Sequence, residues 1–562
     1  MEFFVLKLSN SSFLLLTLYV IIFSGCTKSY NDINKEPSIS GEIKDNPMWY
    51  STGTANDVLE TRVDIPVPND YYCRPYDDLN ASPRPCTLAD IEGDKDPYDD
   101  YEPELHIHFE TDEYMRNGTN ASFEQKGKST RAAKQSSFRI KLDTKTDLYN
   151  GERTFQLNKH FYDDTRVKNM FSFELFQSIP NFTSLRTRFV HLLIDGNNYG
   201  LFTHVEKCDK LYLKNHGFSD EDNLYKAQDY AFIMVDKLKL NDKGKPIDPD
   251  GFDSILEIKN GKDTQKVIDM TTSIENAQTD DEFEVLFNKY FNRENYITWF
   301  AINIILANKD TVTQNFFLLN PKYSDKFYFL PWDYDGIGYE DAVVPKWTKG
   351  VANWWMSPLH QKFLKIKKNR DDLNAMVRYL RDNYITDDKV HELLDKYKPL
   401  VEPYVTSLPD SRYLYGRWQA AYQFLRDGFI SKNLQDYESQ KGHPMPFWQF
   451  SEYLDGVFAL GWEKSVDLEK DAIIYTLDVS DNVDFNTTII HEENLDENNS
   501  KITVDKYTGS LAYKITDSTL LEKGKTYYMR VVSYEKNNLT HYQIAFDNEI
   551  ENHPGILRFK YE

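Results

Sequence analysis

A predicted hairpin with polar residues at its ends constrains this chain more than any other feature of its sequence. Two short apolar runs, 316–319 and 327–330, flank a polar turn. Runs of this length on either side of a turn predict two antiparallel strands. Asp310 and Asn315 precede the first strand, and Asp333 follows the second. The hairpin therefore places three acidic or amide side chains at its outer ends.

This spacing of carboxylate and amide side chains is typical of a phosphoryl-transfer site. In such a site one Asp aligns the acceptor hydroxyl, and an Asn five residues later holds a metal ion. A second Asp, beyond the hairpin, holds metal against the nucleotide phosphates. Asp310, Asn315 and Asp333 stand in this order along the chain. The spacing therefore predicts a site of this class.

Length and charge limit the classes of protein to which the chain can belong. With 562 residues the chain is too long for one core, so two or more domains are expected. The formal net charge is -23, whereas a protein that binds nucleic acid usually carries a basic stripe. We therefore expect no nucleic-acid partner, and the acidic surface is typical of solubility.

The first 25 residues have the composition of an export signal. Lys7 precedes an apolar run over 12–23, and small residues at 24–25 directly precede Cys26. The run is too short for a membrane-spanning helix. The small residues before the cysteine resemble the bacterial lipoprotein signal, which implies cleavage before Cys26 and lipid on its sulfur. The alternative is an ordinary signal peptide. Thr27 at the next position favours the outer membrane or cell surface of a bacterium.

Residues 26–103 are predicted to form a linker and an irregular N-terminal lead, because they are rich in Asp, Pro and Tyr. Cys73 and Cys86 lie in this stretch. In an oxidising compartment, two such cysteines are predicted to close a loop with a disulfide. Cys208 is expected to be a packed thiol rather than a nucleophile.

Strand and helix patterns divide the part of the chain from 104 to 442. The predicted strands are 105–109, 137–142, 187–194 and 199–206, with a turn at 195–198. One helix over 166–179 interrupts them and ends at a proline. From about residue 264 the pattern becomes helical, with an apolar helix over 291–306 and amphipathic helices over 370–405. Strands with one helix, followed by a helical lobe, are the order of a two-lobed kinase domain.

The last part of the chain, residues 443–562, changes to short strands at regular spacing with turn residues between them. This pattern predicts an all-β sandwich. Trp462 on an early strand and Tyr527 at the start of a late strand resemble the fibronectin type III module. The alternative is a different small β-sandwich.

Five motifs in one order resemble the spore coat protein H (CotH) kinase family over roughly 104–400. They are Lys-Gly-Lys-Ser-Thr-Arg at 126–131, Ser-Phe-Arg-Ile-Lys at 137–141, the hairpin at 195–206, Asn-Lys-Asp at 308–310 and Trp-Asp-Tyr-Asp at 332–335. The family is similar in fold to eukaryotic protein kinases, and its members are atypical Ser/Thr kinases that use ATP and a divalent metal. The resemblance implies an α+β, two-lobed kinase-like domain over 104–442, followed by the sandwich.

The resemblance also implies roles for the acidic residues. Asp310 resembles the catalytic-loop Asp, which orients the acceptor hydroxyl. Asn315 and Asp333 resemble the ligands of Mg²⁺ or Mn²⁺. Asp335 is a second acidic group beside Asp333, as a further metal ligand or a helper.

Phosphate-binding residues are implied on the N-terminal side. Lys128 and Ser129, in the glycine-containing motif, would contact the ATP phosphates together with Arg131. Arg139 and Lys141 share the polar face of one strand, which is where a kinase holds its ATP-contacting lysine.

A helical or strand carboxylate would complete the nucleotide site. Glu174, on the single helix, would pair with Lys141, and Glu206 is the other candidate. The family usually has Lys-Lys-Ser before the aromatic residue at this point, whereas this chain has Gln-Ser-Ser at 135–137. Lys134 would have to substitute for the missing lysines.

Taken together, these features predict a lipid-anchored kinase of the cell envelope that transfers the γ-phosphoryl group of ATP to Ser or Thr of a protein. The alternative is a non-catalytic surface adhesin, or a lipoprotein that binds glycan or protein on a kinase-like scaffold. A third interpretation keeps the fold but changes the chemistry to nucleotidyl transfer. The C-terminal module would bind a surface glycan or a protein.

Overall fold

The computed structural model describes residues 43–51, 57–97, 99–146, 148–338, 346–506, 508–547 and 549–562; of residues 129 and 346 only the backbone is described. The predicted signal peptide, Cys26 and the first part of the linker lie outside these residues. Helices and strands are both abundant, which confirms the mixed α+β content. In the part of the chain that is described, no helix is long and apolar enough to cross a membrane.

A closed β-barrel forms the N-terminal half of the body. The elements of this half are α1 (Pro47–Tyr50), β1 (Leu59–Asp64), β2 (Tyr72–Cys73), β3 (Arg84–Pro85), α2 (Leu88–Gly93), β4 (Glu104–Thr111), β5 (Ala121–Lys126), β6 (Ser137–Leu142), β7 (Thr154–Asn158), α3 (Lys168–Phe176), β8 (Thr187–Ile194) and β9 (Asn197–Val205). The barrel order is β1-β4-β5-β6-β7-β9-β8, and β1 closes it by pairing in parallel with β8. Alternate residues of β4 point inward and are buried, as the period of two predicts.

The predicted strands at 105–109, 137–142 and 187–194 correspond to β4, β6 and β8, and the predicted helix at 166–179 corresponds to α3. The N-terminal lead is less irregular than its composition suggested, because it contributes β1. The alternation that buries Leu59, Thr61 and Val63 is short. It lies within acidic and proline-rich sequence, so the sequence pattern did not indicate a strand there. A disulfide joins Cys73 to Cys86 beside the β2–β3 ladder.

The following part of the chain combines helices with a second sheet. Its elements are α4 (Lys210–Asn215), β10 (Asn223–Ala227), α5 (Pro249–Ile255), β11 (Leu256–Asn260), α6 (Thr264–Asn276), α7 (Asp280–Tyr290), α8 (Arg293–Ile305), β12 (Phe316–Asn320), β13 (Tyr328–Pro331), α9 (Pro358–Lys365), α10 (Lys367–Asn383), α11 (Asp387–Val405), α12 (Ser411–Leu414), α13 (Trp418–Asp427) and α14 (Phe429–Ser439). The sheet has the order β11-β10-β12-β13.

Helix α8 and the β12–β13 hairpin form the centre of this half. The helix is apolar on most sides and is buried from Asn295 to Ile305, as expected for a core helix. The Trp299 ring lies 5.4 Å from the ring of Phe316 on β12 and 4.3 Å from that of Phe329 on β13. This packing fixes the hairpin against the helix, and so it also fixes the connection from α8 to β12.

A buried ion pair joins the barrel to the helical half. Lys159 Nζ lies 2.8 Å from Asp410 Oδ1, and the two side chains are at most 1% exposed. The other carboxylate oxygen of Asp410 accepts the backbone N–H of Leu201 in β9 at 2.8 Å. Burial lowers the pKa of Lys159 to about 8, although the charge of Asp410 opposes this shift. Each of these two charges is stabilised by the other, because both side chains are buried away from water.

The C-terminal part forms two sheets with their own core. Its strands are β14 (Gln449–Leu454), β15 (Val457–Trp462), β16 (Ile473–Ser480), β17 (Ile490–Leu495), β18 (Ile502–Val504), β19 (Leu511–Lys514), β20 (Thr526–Glu535), β21 (Asn538–Ile544) and β22 (Ile556–Lys560). One sheet has the order β14-β15-β19-β18 and the other β17-β16-β20-β21, with β22 on β20. Side chains such as Trp462, Leu477 and Val531 from the two sheets meet in one buried cluster. We call residues 447–561, which this cluster spans, the β unit.

Replacing Asp410 with Ala should lower the free energy of unfolding by about 3–5 kcal/mol, because it leaves the buried Lys159 ammonium with no opposite charge and only the carbonyl oxygens of Tyr199 and Leu201 as partners. Chemical denaturation measures this loss. The double variant Lys159→Met/Asp410→Leu should recover much of it, since it removes both buried charges.

The exposed pair of Lys367 and Asp371, 2.8 Å apart on α10, provides the control. Asp371→Ala should cost less than about 1 kcal/mol, because water already solvates both charges. Equal losses for Asp410→Ala and Asp371→Ala would contradict the role given to the buried pair.

Candidate active site

One cleft of about 1190 Å³ lies between the barrel and the second sheet. Its barrel side is formed by residues of β5, β6 and β7, and its other side by β10, β11, the α8–β12 connection and the residues after β13. Asp310, Asn315, Asp333 and Asp335 all line it. The hairpin therefore brings the four predicted residues into one cavity.

The connection between α8 and β12 holds Asp310 in a network of hydrogen bonds. Asn315 Nδ2 donates to Asp310 Oδ2 at 2.8 Å, and the Gln314 side chain donates to the other carboxylate oxygen. Ala307 and Asn315 have φ values of 44° and 55°, in the left-handed region that only a few residue types adopt readily. Backbone conformations of this kind are found more often where function requires them.

Asp310 has the properties of a proton acceptor. Burial raises the pKa of its carboxyl group, and the negative charge of Asp335 adds to this rise. The hydrogen bonds from Gln314 and Asn315 limit the rise, because they stabilise the carboxylate. A carboxylate that is partly withdrawn from water is more basic than usual and is suited to receive a hydroxyl proton.

Asp333 and Asp335 form a pair of carboxyl groups after β13. Burial raises the pKa of Asp333 to about 7, and the charge of Asp335 contributes to the rise. Although burial also acts on Asp335, hydrogen bonds with His160 and Asp333 lower its pKa. His160 Nδ1 lies 3.0 Å from Asp335 Oδ2. Asp335 is therefore the ionised member of the pair, and Asp333 keeps a proton until near pH 7.

The donor atoms near this pair fit a divalent cation that arrives with a nucleotide. Among the described residues, no group of three or more His, Cys, Asp or Glu side chains is placed to hold a metal by itself. Asp333, Asp335 and Asn315 nevertheless supply oxygen donors, which Mg²⁺ and Mn²⁺ prefer. Mg²⁺ is usually held by one or two carboxylates together with substrate phosphates. Burial and the charge of Asp335 keep the pKa of Asp333 raised, although nearby cationic side chains lower it.

Two lysines that the sequence did not single out lie beside this pair. Lys126, at the end of β5, and Lys226, on β10, have their Nζ atoms 5.9 and 5.4 Å from the centre of the Trp332 ring. Burial lowers the pKa of Lys126 to about 8 and also lowers that of Lys226, while the charge of Asp333 opposes both shifts. Lys126 donates to Asn158 Oδ1 at 2.5 Å. These two ammonium groups are placed to meet the anionic end of a ligand in the cleft.

Only part of this arrangement had a signal in the sequence. Lys126 opens the 126–131 motif, but the glycine and hydroxyl residues drew the prediction to the positions that follow. Lys226 belongs to no motif, and its one signal is a charged residue inside a short apolar strand. The distance between the two lysines and Asp333 depends on the fold of the whole domain.

The predicted phosphate-binding residues have mixed outcomes. Lys128, Arg131 and Arg139 line the cleft. Arg131 is already paired with Asp94 at 2.7 Å, and Arg139 is paired with Glu124 at 2.5 Å. Only the backbone of Ser129 is described. Lys128 is thus the member of this set that is best placed to reach a ligand.

The predicted pair of Glu174 and Lys141 is wrong. Glu174 lies 2.7 Å from Lys396 and hydrogen-bonds to Tyr397, so α3 directs it toward α11. Lys141 is exposed and does not line the cleft. It occupies the same face of β6 as Arg139 but lies two residues further along the strand. Lys134, the suggested substitute, is also exposed and outside the cleft.

Glu206 does not line the cleft either. Its side chain is 1% exposed and lies 3.0 Å from His216 Nε2. It also accepts the N–H of Trp49 at 2.9 Å. Glu206 therefore fastens the N-terminal residues to the end of the barrel. Cys208 is buried, as expected for a packed thiol, although it borders the cleft.

Replacing Asp333 with Asn should stabilise the metal-free protein, and this advantage should grow as the pH rises from 5 to 8. The folded protein holds the Asp333 proton up to about pH 7, whereas the unfolded chain releases it near pH 4. The free energy of unfolding of the wild-type protein therefore falls as the pH rises between these values. Asp333→Asn lacks this titrating group, so its free energy of unfolding does not fall for this reason. Urea denaturation in the presence of a chelator, at pH 5, 6.5 and 8, measures the difference.

Asp371→Asn provides the control, because it removes the same carboxylate from an exposed position outside the cleft. A difference between wild type and Asp333→Asn that stays constant with pH would contradict the raised pKa.

Comparison with known proteins identifies the family of this chain. Residues 123–436 match the family model described as CotH kinase protein. The inner spore coat protein H of Bacillus subtilis (strain 168) is 23% identical over 304 residues, which are 54% of this chain and 75% of that protein. The crystal structure of the Helicobacter pylori proinflammatory kinase CtkA aligns with 53% of this chain and 91% of its own, at 15% sequence identity and a TM-score of 0.24. The family match, which spans more than half of the chain, shows that this protein belongs to the CotH kinase family.

Proposed function

We propose that this protein transfers the γ-phosphoryl group of ATP to a Ser or Thr hydroxyl of a protein substrate. The observation that carries the proposal is the meeting of Asp310, Asn315 and Asp333 with two lysines in one cleft. Membership of the CotH kinase family supports the same chemistry.

Each group has a role that follows from its place in the cleft. Asp310 would orient the acceptor hydroxyl and receive its proton, since its carboxylate is partly desolvated. Lys126 and Lys226 would bind the phosphate oxygens and stabilise the charge that moves during transfer. Asp333 and Asn315 would hold Mg²⁺ or Mn²⁺, with Asp335 beside them. A bound metal neutralises phosphate charge and so favours transfer.

The N-terminal sequence supports a location at the cell envelope. Its apolar run and the small residues before Cys26 suit export and lipid attachment. The Bacillus relative is a spore coat protein by name, which is also an envelope location.

The β unit has two features of a fibronectin type III module. Trp462 is fully buried on β15. Tyr527, at the start of β20, accepts the backbone N–H of Glu522 on its hydroxyl oxygen at 2.8 Å. A tyrosine that bonds back to the chain just before a late strand is common in such sandwiches. We assign the unit to this class and expect its ligand to be a surface glycan or a protein.

Purified residues 38–562, incubated with Mg²⁺ or Mn²⁺, γ-labelled ATP and a generic protein acceptor, test the proposed transfer. Asp310→Asn should lower kcat by about 10²- to 10⁴-fold while ATP still binds. Lys126→Met and Lys226→Met should weaken ATP binding, because they remove charge from the phosphate side. Lys141→Met, outside the cleft, should change neither quantity.

Two results would contradict the proposal. If the wild-type protein neither transfers label nor binds nucleotide with metal, the adhesin or ligand-binding alternative is favoured. If label reaches the acceptor from α-labelled ATP, the chemistry is nucleotidyl transfer.

Replacing Cys26 with Ser should abolish lipid attachment and release the protein from the membrane fraction, because the thiol is the proposed acceptor. Labelling of bacterial cells with a radioactive fatty acid, followed by fractionation, measures both effects. Lipid labelling that persists in Cys26→Ser would show that the cysteine is not the anchor.

A further inference from the structure

The β unit contacts a segment that forms one side of the cleft. We call residues 347–356 the wall segment, because Trp347, Thr348, Asn353 and Met356 line the cleft. The Trp347 ring lies 5.6 Å from the ring of Phe546, at an angle of 63°. Phe546 lies two residues after the end of β21, so a residue of the β unit packs against the wall of the candidate active site.

Phe546 belongs to the core of the kinase-like domain, although its neighbours in the chain belong to the β unit. Its side chain is 4% exposed and joins the large buried cluster that contains α8 and the hairpin. The core of the β unit is a separate cluster. The backbone N–H of Phe546 donates to Phe447 O at 2.8 Å, and the Phe546 ring packs 5.2 Å from that of Trp448. The ring is therefore held from the β unit and inserted into the other domain.

The wall segment is in turn bonded to the loop that carries Asp310. Asn353 Nδ2 donates to the backbone carbonyl of Lys309 at 3.0 Å, and Asn353 is 5% exposed. Lys309 is the residue before Asp310. The next residue of the segment, Trp354, packs 4.5 Å from the ring of Phe300 on α8. The wall segment therefore contacts both the loop and the helix that leads into it.

We propose that the β unit positions the candidate catalytic loop through Phe546, Trp347 and Asn353. These are positioning residues, since they act on Asp310 through the wall segment and the Lys309 carbonyl. This inference rests on the proposed kinase function for its effect on rate. The phosphate side of the cleft is built from β5 and β10, whereas the Phe546 ring packs on Trp347 and Trp448. Loosening the Phe546 contact should therefore lower the rate of transfer and leave nucleotide binding intact.

Phe546→Leu and Asn353→Leu test this role in the full mature chain. Each should lower kcat about tenfold or more, because small displacements of a catalytic group are costly. The Kd for ATP should change less than about twofold, since the phosphate-binding lysines lie elsewhere. Hydrogen–deuterium exchange should become faster in residues 347–356 and 309–315 and stay unchanged in β5 and β6. Phe546→Tyr, which keeps the ring, should restore most of the rate.

Phe559→Leu is the matched control. Phe559 is also a buried phenylalanine of the β unit, but it packs inside that unit, 5.8 Å from Phe458 and 5.9 Å from Tyr527. This variant should loosen the β unit itself and leave kcat and the exchange of 309–315 as in wild type.

The exchange measurement separates this inference from the proposed function. If the wild-type chain transfers no phosphoryl group, the kinase proposal fails, while faster exchange at 309–315 in Phe546→Leu still supports the positioning. Unchanged exchange at 309–315 in Phe546→Leu would overturn the inference, whatever the activity. An equal loss of kcat and of ATP affinity, or the same loss in Phe559→Leu, would also overturn it, because it would indicate general loosening.

Discussion

The electrostatics of one carboxyl pair govern the rest of this structure. Asp333 and Asp335 lie together, half-buried in the cleft, and His160 stabilises the charge of Asp335. Lys126 and Lys226 offset part of the remaining cost, but the pKa of Asp333 still stands at about 7. A protein gains no stability from such an arrangement. A cation bound by the two carboxyl groups, and an anionic ligand bound by the two lysines, would make this arrangement favourable.

The fold holds these charges at fixed positions from two directions. The β12–β13 hairpin, packed on α8, carries Asp310, Asn315 and Asp333. The barrel contributes Lys126, and its attachment to the helical half includes the buried pair of Lys159 and Asp410. A cleft between two parts of a domain excludes water and strengthens each interaction inside it.

Local sequence was sufficient for the hairpin side of the site and insufficient for the opposite side. Asp310, Asn315 and Asp333 are close in sequence to the strands that place them, so period and spacing predicted their meeting. The partner of Glu174 is Lys396 on a distant helix, and no local pattern indicates which face of α3 meets it. Lys226 reaches the cleft because β10 pairs with β12, which is a contact between distant parts of the chain. The strand β1 was not predicted for the same reason, because it is stabilised by pairing with β4 and β8 when the barrel closes.

The central claim is that the Asp333 and Asp335 pair accepts a metal-bound nucleotide and loses its shared proton when it does so. Isothermal titration calorimetry of ATP with Mg²⁺ at pH 6, in buffers of different ionisation enthalpy, tests this claim most directly. We expect release of about one proton on binding, because ligands must be deprotonated before they hold a metal. The release should be absent in Asp333→Asn. Nucleotide binding without proton release in the wild-type protein would contradict the account.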